Sequence, residues 1–406
     1  MAAPPVDITV VGGGLVGLAT ARALLESEVT DAVRVLEKED APGRHQSTHN
    51  SGVLHAGLAY APGSAKARLA RDGIRRMVEY CRARGIAHDI CGKLVVAVRP
   101  DEVPRLEALH ERGRSNGLTG LRLLTPEQAR EIEPHAGGLA ALHVPEEGIV
   151  SFAGVVGALV EDIAAAGGIV ESGNGLRGAS REGSLWRLDT DLGERASRVV
   201  VNCAGLHADR VARLCGVRPT VRILPFRGEY RKLRVERASL VRHLVYPVAR
   251  PGFPFLGVHF TRRVDGTIDA GPTAVLAFAR EGYRVTDVDV GDLAQAVSSA
   301  GLWRFVARHP GVVAEELARS VTGWGFFEAL RGMIPELRRG DLEPGGSGVR
   351  AQAVRADGTL VDDFLWIERP GAVHVLNAAS PAATASLAIG RVVAARAARA
   401  LRELTR

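Results

Sequence analysis

The chain has 406 residues, 46% apolar and 24% charged, enough to bury a sizeable core and to build two domains. Its 52 basic and 46 acidic residues leave a net charge of +6 that is scattered rather than gathered into a basic stripe studded with aromatic residues, which argues against nucleic-acid binding. Cys81, Cys91, Cys203 and Cys215 form no CxxC pair and read as reduced thiols, so neither a disulfide framework nor a metal centre is expected. No run reaches the roughly 18 uninterrupted apolar residues of a membrane-spanning helix. Residues 1–7 carry no charged leader, and a cytoplasmic location is expected.

In chain order, Val6-Asp-Ile-Thr-Val-Val11 is apolar and β-branched at nearly every position, as in a strand buried on both faces of a parallel sheet. A glycine turn follows. Residues 15–25 are good helix formers with apolar positions at helical spacing, and 32–36 return as a second strand, completing a βαβ unit. Helical patterns recur at 65–84, 103–116, 126–133 and 152–166, divided by Gly and Pro. Short strands at 168–171 and 197–201 are expected to rejoin the N-terminal sheet. Between about Arg218 and Arg331, Pro225, Pro247, Pro251, Pro254 and Pro272 punctuate alternating stretches such as 228–233 and 255–260, the texture of an antiparallel sheet. A Gly/Pro-rich loop at 343–348 precedes further strands and a final helix from about Ala383.

The run Gly12-Gly-Gly-Leu-Val-Gly17 contains GxGxxG, placed directly between a buried strand and a helix. Gly12 permits the tight turn, Gly14 lets the backbone, with Leu15 and Val16, approach a pyrophosphate, and Gly17 lets helix and strand pack closely. Helix N-terminal amides then face the phosphates. Glu37 ends the next strand 20 residues after Gly17, where a carboxylate meets a ribose diol and disfavours a 2′-phosphate. Strand, glycines, helix and acid together predict a dinucleotide. Lys38 and the polar segment 43–52, with Thr48, Asn50, Ser51 and Gly52, are suited to track the pyrophosphate toward a buried ring, which favours FAD over NAD.

The segment His49-Asn-Ser-Gly-Val-Leu-His-Ala-Gly-Leu-Ala-Tyr-Ala-Pro-Gly-Ser64 resembles that of L-2-hydroxyglutarate dehydrogenases and oxidases, in the D-amino-acid-oxidase-like FAD superfamily. Further blocks resemble the family in order: Cys91-Gly-Lys-Leu94, Cys203-Ala-Gly205, Pro225-Phe-Arg-Gly-Glu-Tyr230, residues 253–261, Gly348-Val-Arg-Ala-Gln352, Leu360-Val-Asp-Asp-Phe364 and Ser380-Pro-Ala-Ala-Thr384. The likeness covers almost the whole chain. It departs at Asn377-Ala-Ala-Ser-Pro381, where the family pattern has a proline as third residue. The resemblance implies an α/β fold. A discontinuous Rossmann-like FAD-binding domain (1–90, 145–217 and 332–406) would hold an inserted α+β substrate domain on a mostly antiparallel sheet (91–144 and 218–331). It further implies FAD contacts from Val170, Ala204, Gly205, Ala382, Ala383 and Thr384.

The implied reaction is oxidation of L-2-hydroxyglutarate to 2-oxoglutarate. Hydride passes from Cα to flavin N5, a base takes the hydroxyl proton, and electrons pass on to oxygen, a quinone or another carrier. Histidine suits the base. The resemblance points to His55 at the catalytic face, with His49 as second candidate or flavin contact. A substrate with two carboxylates calls for a forked cation and polar donors. Arg227 and Arg350 stand isolated in apolar runs, though each equally reads as a buried ion pair; Tyr60, Lys93, His259 and Thr261 would complete the lining. The turn 380–384, read as opening the last helix, would direct amides at the reduced flavin. Residues 391–406 are basic and amphipathic, which suits either a solvated terminal helix or peripheral contact with an anionic membrane. An amine or amino-acid oxidase of the same superfamily and a non-catalytic dinucleotide-binding protein are the alternatives.

Overall fold

A computed structural model describes residues 4–249, 257–323 and 325–404. The run Val6–Val11 forms the centre of an eight-stranded sheet, paired in parallel with Val33–Leu36 on one side and Gly193–Asn202 on the other. Ile169–Glu171 adds beyond 33–36, also in parallel. Both short strands expected to rejoin this sheet do so. The long strand 193–202 is shared: its first half pairs antiparallel with Leu185–Thr190, its second half in parallel with Ala372–Asn377.

The apolar character of Val6–Val11 follows from its two covers. Ile8 and Val10 pack beneath the helices Leu15–Glu26 and Ser386–Leu404, while Val11 joins Trp186, Leu188 and Val200 on the other face. The two helices touch closely at Gly390, where a Cβ would lie 2.6 Å from the backbone of Ala19. The terminal helix therefore spends its apolar face on the core, and its Arg396 and Arg399 pair with Glu368. Among the described residues no helix is long and apolar enough to cross a membrane.

A second, nine-stranded sheet is mostly antiparallel, with one parallel join between Leu244–Pro247 and Lys93–Ala97. Its spine is a ribbon of Val221–Leu233 against Leu342–Arg355. The stretch 343–348, read as a loop of the nucleotide domain, is thus a strand of the second sheet. Its glycines serve close approach rather than a turn: a Cβ on Gly348 would fall 2.3 Å from the His49 carbonyl oxygen, and one on Gly345 2.7 Å from that of Tyr230. The region expected to be sheet up to 331 instead turns helical at Val290–Val297, Ala300–Arg308, Pro310–Thr322 and Phe326–Met333; in the second and fourth of these, Leu302 with Phe305 and Phe327 with Leu330 bury one helical stripe. Of the expected strand 255–260, the described part contributes His259 and Phe260 to strand His259–Arg262, and residues 250–256, with Pro251, Pro254 and the start of the 253–261 block, lie outside the described ones. A three-stranded sheet, Val53–Leu54 with Gly148–Val150 and His88–Asp89, also forms.

Candidate active site

A cavity of about 870 Å³ runs from the glycine turn, past residues 43–51, to a polar end at His55, Tyr246, His259 and Arg350. At the first end, Gly12 takes φ +110°, and a Cβ there would sit 2.6 Å from the Cys203 carbonyl oxygen. A Cβ on Gly17 would lie only 1.9 Å from the oxygen of Gly12, so the helix abuts its own turn. Ser47 Oγ accepts from the Leu15 amide at 2.9 Å in the helix's first turn. The Glu37 carboxylate accepts from the amides of Gly13 (2.8 Å) and Glu39 (2.9 Å) and keeps further lone pairs toward the cavity. Bare backbone at the turn, first-turn amides, an acid after the second strand and a volume of this size fit a dinucleotide.

Lys38 lines the cavity beside Glu37 and is at the same time held by neighbouring acids. Its ammonium pairs with Glu281 at 2.6 Å and with Glu39, and Glu281 also meets His207 at 2.8 Å. Burial works against the Glu281 charge, but His207 and Lys38 outweigh it and hold the carboxyl down to about 2. Glu39, His45 and Glu281 bring ligand atoms within 4.8 Å of one another; the lysine already supplies their cation.

At the other end, His55 follows strand 53–54. Its amide donates to Thr384 Oγ1 at 3.1 Å, and that hydroxyl donates to the Val53 carbonyl, also at 3.1 Å. His55 Nδ1 lies 3.4 Å from Glu147 Oε2, which accepts from Lys93 Nζ at 2.5 Å. Glu147 is 1% exposed. Burial disfavours its charge, yet Lys93 and His55 prevail and hold the carboxyl down to about 2. Lys93 Nζ lies 5.1 Å from the centre of the Tyr246 ring, which stacks on His259 with centroids 3.9 Å apart. Burial pushes His259 down to about 3, so it is a neutral ring whose Nδ1 donates to the Gly257 carbonyl at 2.9 Å. Arg350 stands beside Tyr230 and Tyr60; burial lowers it from its usual value, though an arginine stays charged. Burial likewise pushes the Tyr230 phenol up to about 12.

Comparison with known proteins agrees with this geometry. The family described as DAO: FAD dependent oxidoreductase matches residues 7–396. L-2-hydroxyglutarate dehydrogenase of Indibacter alkaliphilus is 42% identical over 95% of this chain and 97% of its own length. The human mitochondrial L-2-hydroxyglutarate dehydrogenase is 42% identical over 96% and 88%. The chain belongs to the L-2-hydroxyglutarate dehydrogenase family of FAD dependent oxidoreductases. The family fold is shared with L-α-glycerophosphate oxidase of Mycoplasma pneumoniae, solved with FAD bound (TM-score 0.78, 21% identity, 98% of this chain and 95% of that one). Glycine oxidase of Geobacillus kaustophilus shares it as well (TM-score 0.74, 20% identity, 98% and 95%). The resemblance read from the sequence, the fold class and FAD as cofactor are all borne out.

Within this family member, the cavity wall includes Gly12, Gly14, Leu15, Val16, Glu37, Lys38, Asn50, Ser51, Ala204, Gly205, Ala382, Ala383, Thr384, His49, His55, Arg227, His259 and Arg350 from the sequence reading. Six expected residues stand behind it. Gly17 is under the turn. Thr48 Oγ1 donates to the Gly43 carbonyl at 2.7 Å, and its neighbour Ser47 meets the helix instead. Gly52, at φ +71°, turns the chain into strand 53–54, and Val170 pairs with Val35 inside the sheet. Tyr60 hydrogen-bonds with Ser380, and Thr261 is buried behind Tyr246. His49 leans on Tyr283, with centroids 4.5 Å apart, in a group with His45. The two arginines do not form one clamp. Arg350 is opposite Phe226 in the ribbon and Arg227 opposite Val349, so they project from opposite faces. Arg227 is held by Glu229 at 3.2 Å and by the Arg284 carbonyl at 3.0 Å. The final helix starts at Ser386, and Thr384 anchors His55 rather than capping it. Glu147, Tyr230 and Ser47 escaped the sequence reading. Glu147 lies in an ordinary polar turn, Pro145-Glu-Glu-Gly148, and nothing local marks it.

Proposed function

We propose that the protein oxidises L-2-hydroxyglutarate to 2-oxoglutarate, with His55 receiving the hydroxyl proton and Arg350 holding a carboxylate. The observation that carries this reading is the convergence, at one end of the dinucleotide cavity, of a histidine backed by a carboxylate and a half-buried arginine beside two phenols. Full-length similarity to proteins named L-2-hydroxyglutarate dehydrogenase supports the choice of substrate. FAD, when bound, supplies the hydride acceptor.

Gly12, Gly14, Leu15, Val16 and Glu37 would hold the FAD pyrophosphate and ribose, with Asn50, Ser51, Ala204, Gly205, Ala382 and Ala383 along its length. Arg350 gives a charge-assisted contact in a half-buried setting, and Tyr230 stays protonated as a donor. His259 is neutral, adding no second cation. Arg227 we assign to holding the ribbon. We further propose that the first sheet with its helices forms the cofactor half and the second sheet, including Leu342–Arg355, the substrate half. Electrons leave to oxygen, a quinone or another carrier.

The test is turnover of the two enantiomers of 2-hydroxyglutarate with an artificial electron acceptor. Consumption of the L-enantiomer with one 2-oxoglutarate formed per two electrons is expected. Turnover of amino acids with neither enantiomer consumed would contradict it.

A further inference from the structure

Strand 53–54 pairs antiparallel with Gly148–Val150, Leu54 opposite Gly148 and Val53 opposite Ile149. Carrying that register one step further places residue 147 opposite residue 55 on the same face. The sheet thus delivers Glu147 to His55. Two consecutive amides are then captured by side chains from distant segments: that of His55 by Thr384 Oγ1 (3.1 Å) and that of Ala56 by Glu147 Oε1 (3.2 Å). The second carboxylate oxygen is left for His55 Nδ1 and Lys93 Nζ.

We propose that Glu147 is the positioning residue for His55 and that Lys93 sets how strongly it acts, an inference that rests on His55 being the proton acceptor. A carboxylate only accepts, so Nδ1 must carry its hydrogen toward Glu147, which fixes the tautomer and leaves Nε2 with a free lone pair. When that nitrogen takes the hydroxyl proton, the buried carboxylate stabilises the imidazolium without itself being protonated. Lys93 shares the same oxygen and draws charge from it. The 3.4 Å separation is at the limit of hydrogen-bond reach, and such contacts tighten once substrate is bound.

The other groups around the pair stay in one charge state across the working range. Burial holds His259 neutral and pushes the Tyr60 and Tyr246 phenols up. Burial also pushes the Cys91 thiol up to about 11, while Arg350, next in reach, is permanently charged. Glu147 and Lys93 therefore pull on His55 in opposite senses, and removing each has an opposite consequence.

The experiment compares Glu147→Gln, Lys93→Met and His55→Ala as holoenzymes, by rapid-reaction flavin reduction with L-2-hydroxyglutarate across pH and by ¹⁵N chemical shifts of the His55 ring. In Glu147→Gln, reduction should slow at least about tenfold with little change in substrate dissociation constant. Its acidic limb should move to lower pH, and the Nδ1-protonated tautomer should lose its dominance. In Lys93→Met, the acidic limb should move to higher pH and that tautomer should persist. Opposite movements support the assignment, and Lys93→Met alone decides it if Glu147→Gln fails to bind FAD. Limbs that stay in place, with an unchanged tautomer, would overturn it, provided His55→Ala abolishes rapid reduction. Rapid reduction by His55→Ala would instead overturn the role of His55 itself.

Discussion

The two ends of the cavity are built on different principles. The cofactor end is backbone: Gly12, Gly14 and Gly17 matter for the atoms they lack, and a dozen consecutive residues specify the shape. The polar end is side chains drawn from 55, 93, 147, 246, 259 and 350, each supplied by a different strand or turn. Local chemistry encodes the first, and sheet register encodes the second. One end tolerates no added atom, whereas the other tolerates substitution but loses chemistry.

The sharpest way to break that contrast is Gly17→Ala. Its Cβ would meet the Gly12 oxygen at 1.9 Å, a backbone clash with no flexible atom to yield, so the purified variant should lack the flavin absorbance band. Full FAD content would show that the turn is not a closely packed cradle. At the other end, His55→Ala should keep its FAD while flavin reduction falls by about 10²- to 10⁴-fold. Stopped-flow measurement is required, because steady-state turnover can report reoxidation.

A smaller effect separates the two arginines. Arg350→Ala should raise the apparent KM about 10- to 100-fold, for a lost charge-assisted contact of roughly 1.5–3 kcal/mol. Arg227→Ala should leave KM within a few-fold and instead lower the melting temperature, since it strips Glu229 of its partner. Equal kinetic effects would mean that both reach the substrate.

A further consequence of the polar end concerns stability rather than catalysis. His259 sits at about 3 in the fold and near 6.5 when unfolded, so the unfolded chain takes up its proton first as pH falls. The contribution of His259 to stability is therefore complete above pH 6.5 and is lost progressively between about 6.5 and 3, at most about 1.4 kcal/mol per pH unit. Denaturation midpoints over that window should fall less steeply in His259→Phe than in the parent protein.

The contrast also accounts for what was legible beforehand. The strand Val6–Val11, helices such as Ala65–Arg84 and the glycine turn could be read because their periodicity and spacing are local. The first half of the strand Leu342–Arg355, residues 343–348, looked like a loop because Gly345 and Gly348 answer to neighbours distant in sequence, the carbonyls of Tyr230 and His49. Glu147 was invisible for the same reason: only the pairing of 53–54 with 148–150 brings it to His55. Lys38 was legible only in part: it lines the cavity as expected, but its pairing was not visible. It sits where a cofactor contact is expected, and Glu281, more than two hundred residues away, claims it. Arg227 and Arg350 looked equivalent as isolated cations; the ribbon's two-residue alternation puts them on opposite faces.

The central claim joins the two ends: a flavin held by the glycine turn is reduced by a hydroxy acid held near Arg350 and deprotonated by His55. One measurement tests it most directly, the absorption spectrum of the anaerobic protein before and after a single addition of substrate. The flavin band should be present at the start and bleach on adding L-2-hydroxyglutarate, and persist with glycine, sarcosine or D-amino acids. A flavin that bleached with one of those amines and stayed oxidised with L-2-hydroxyglutarate would contradict the account.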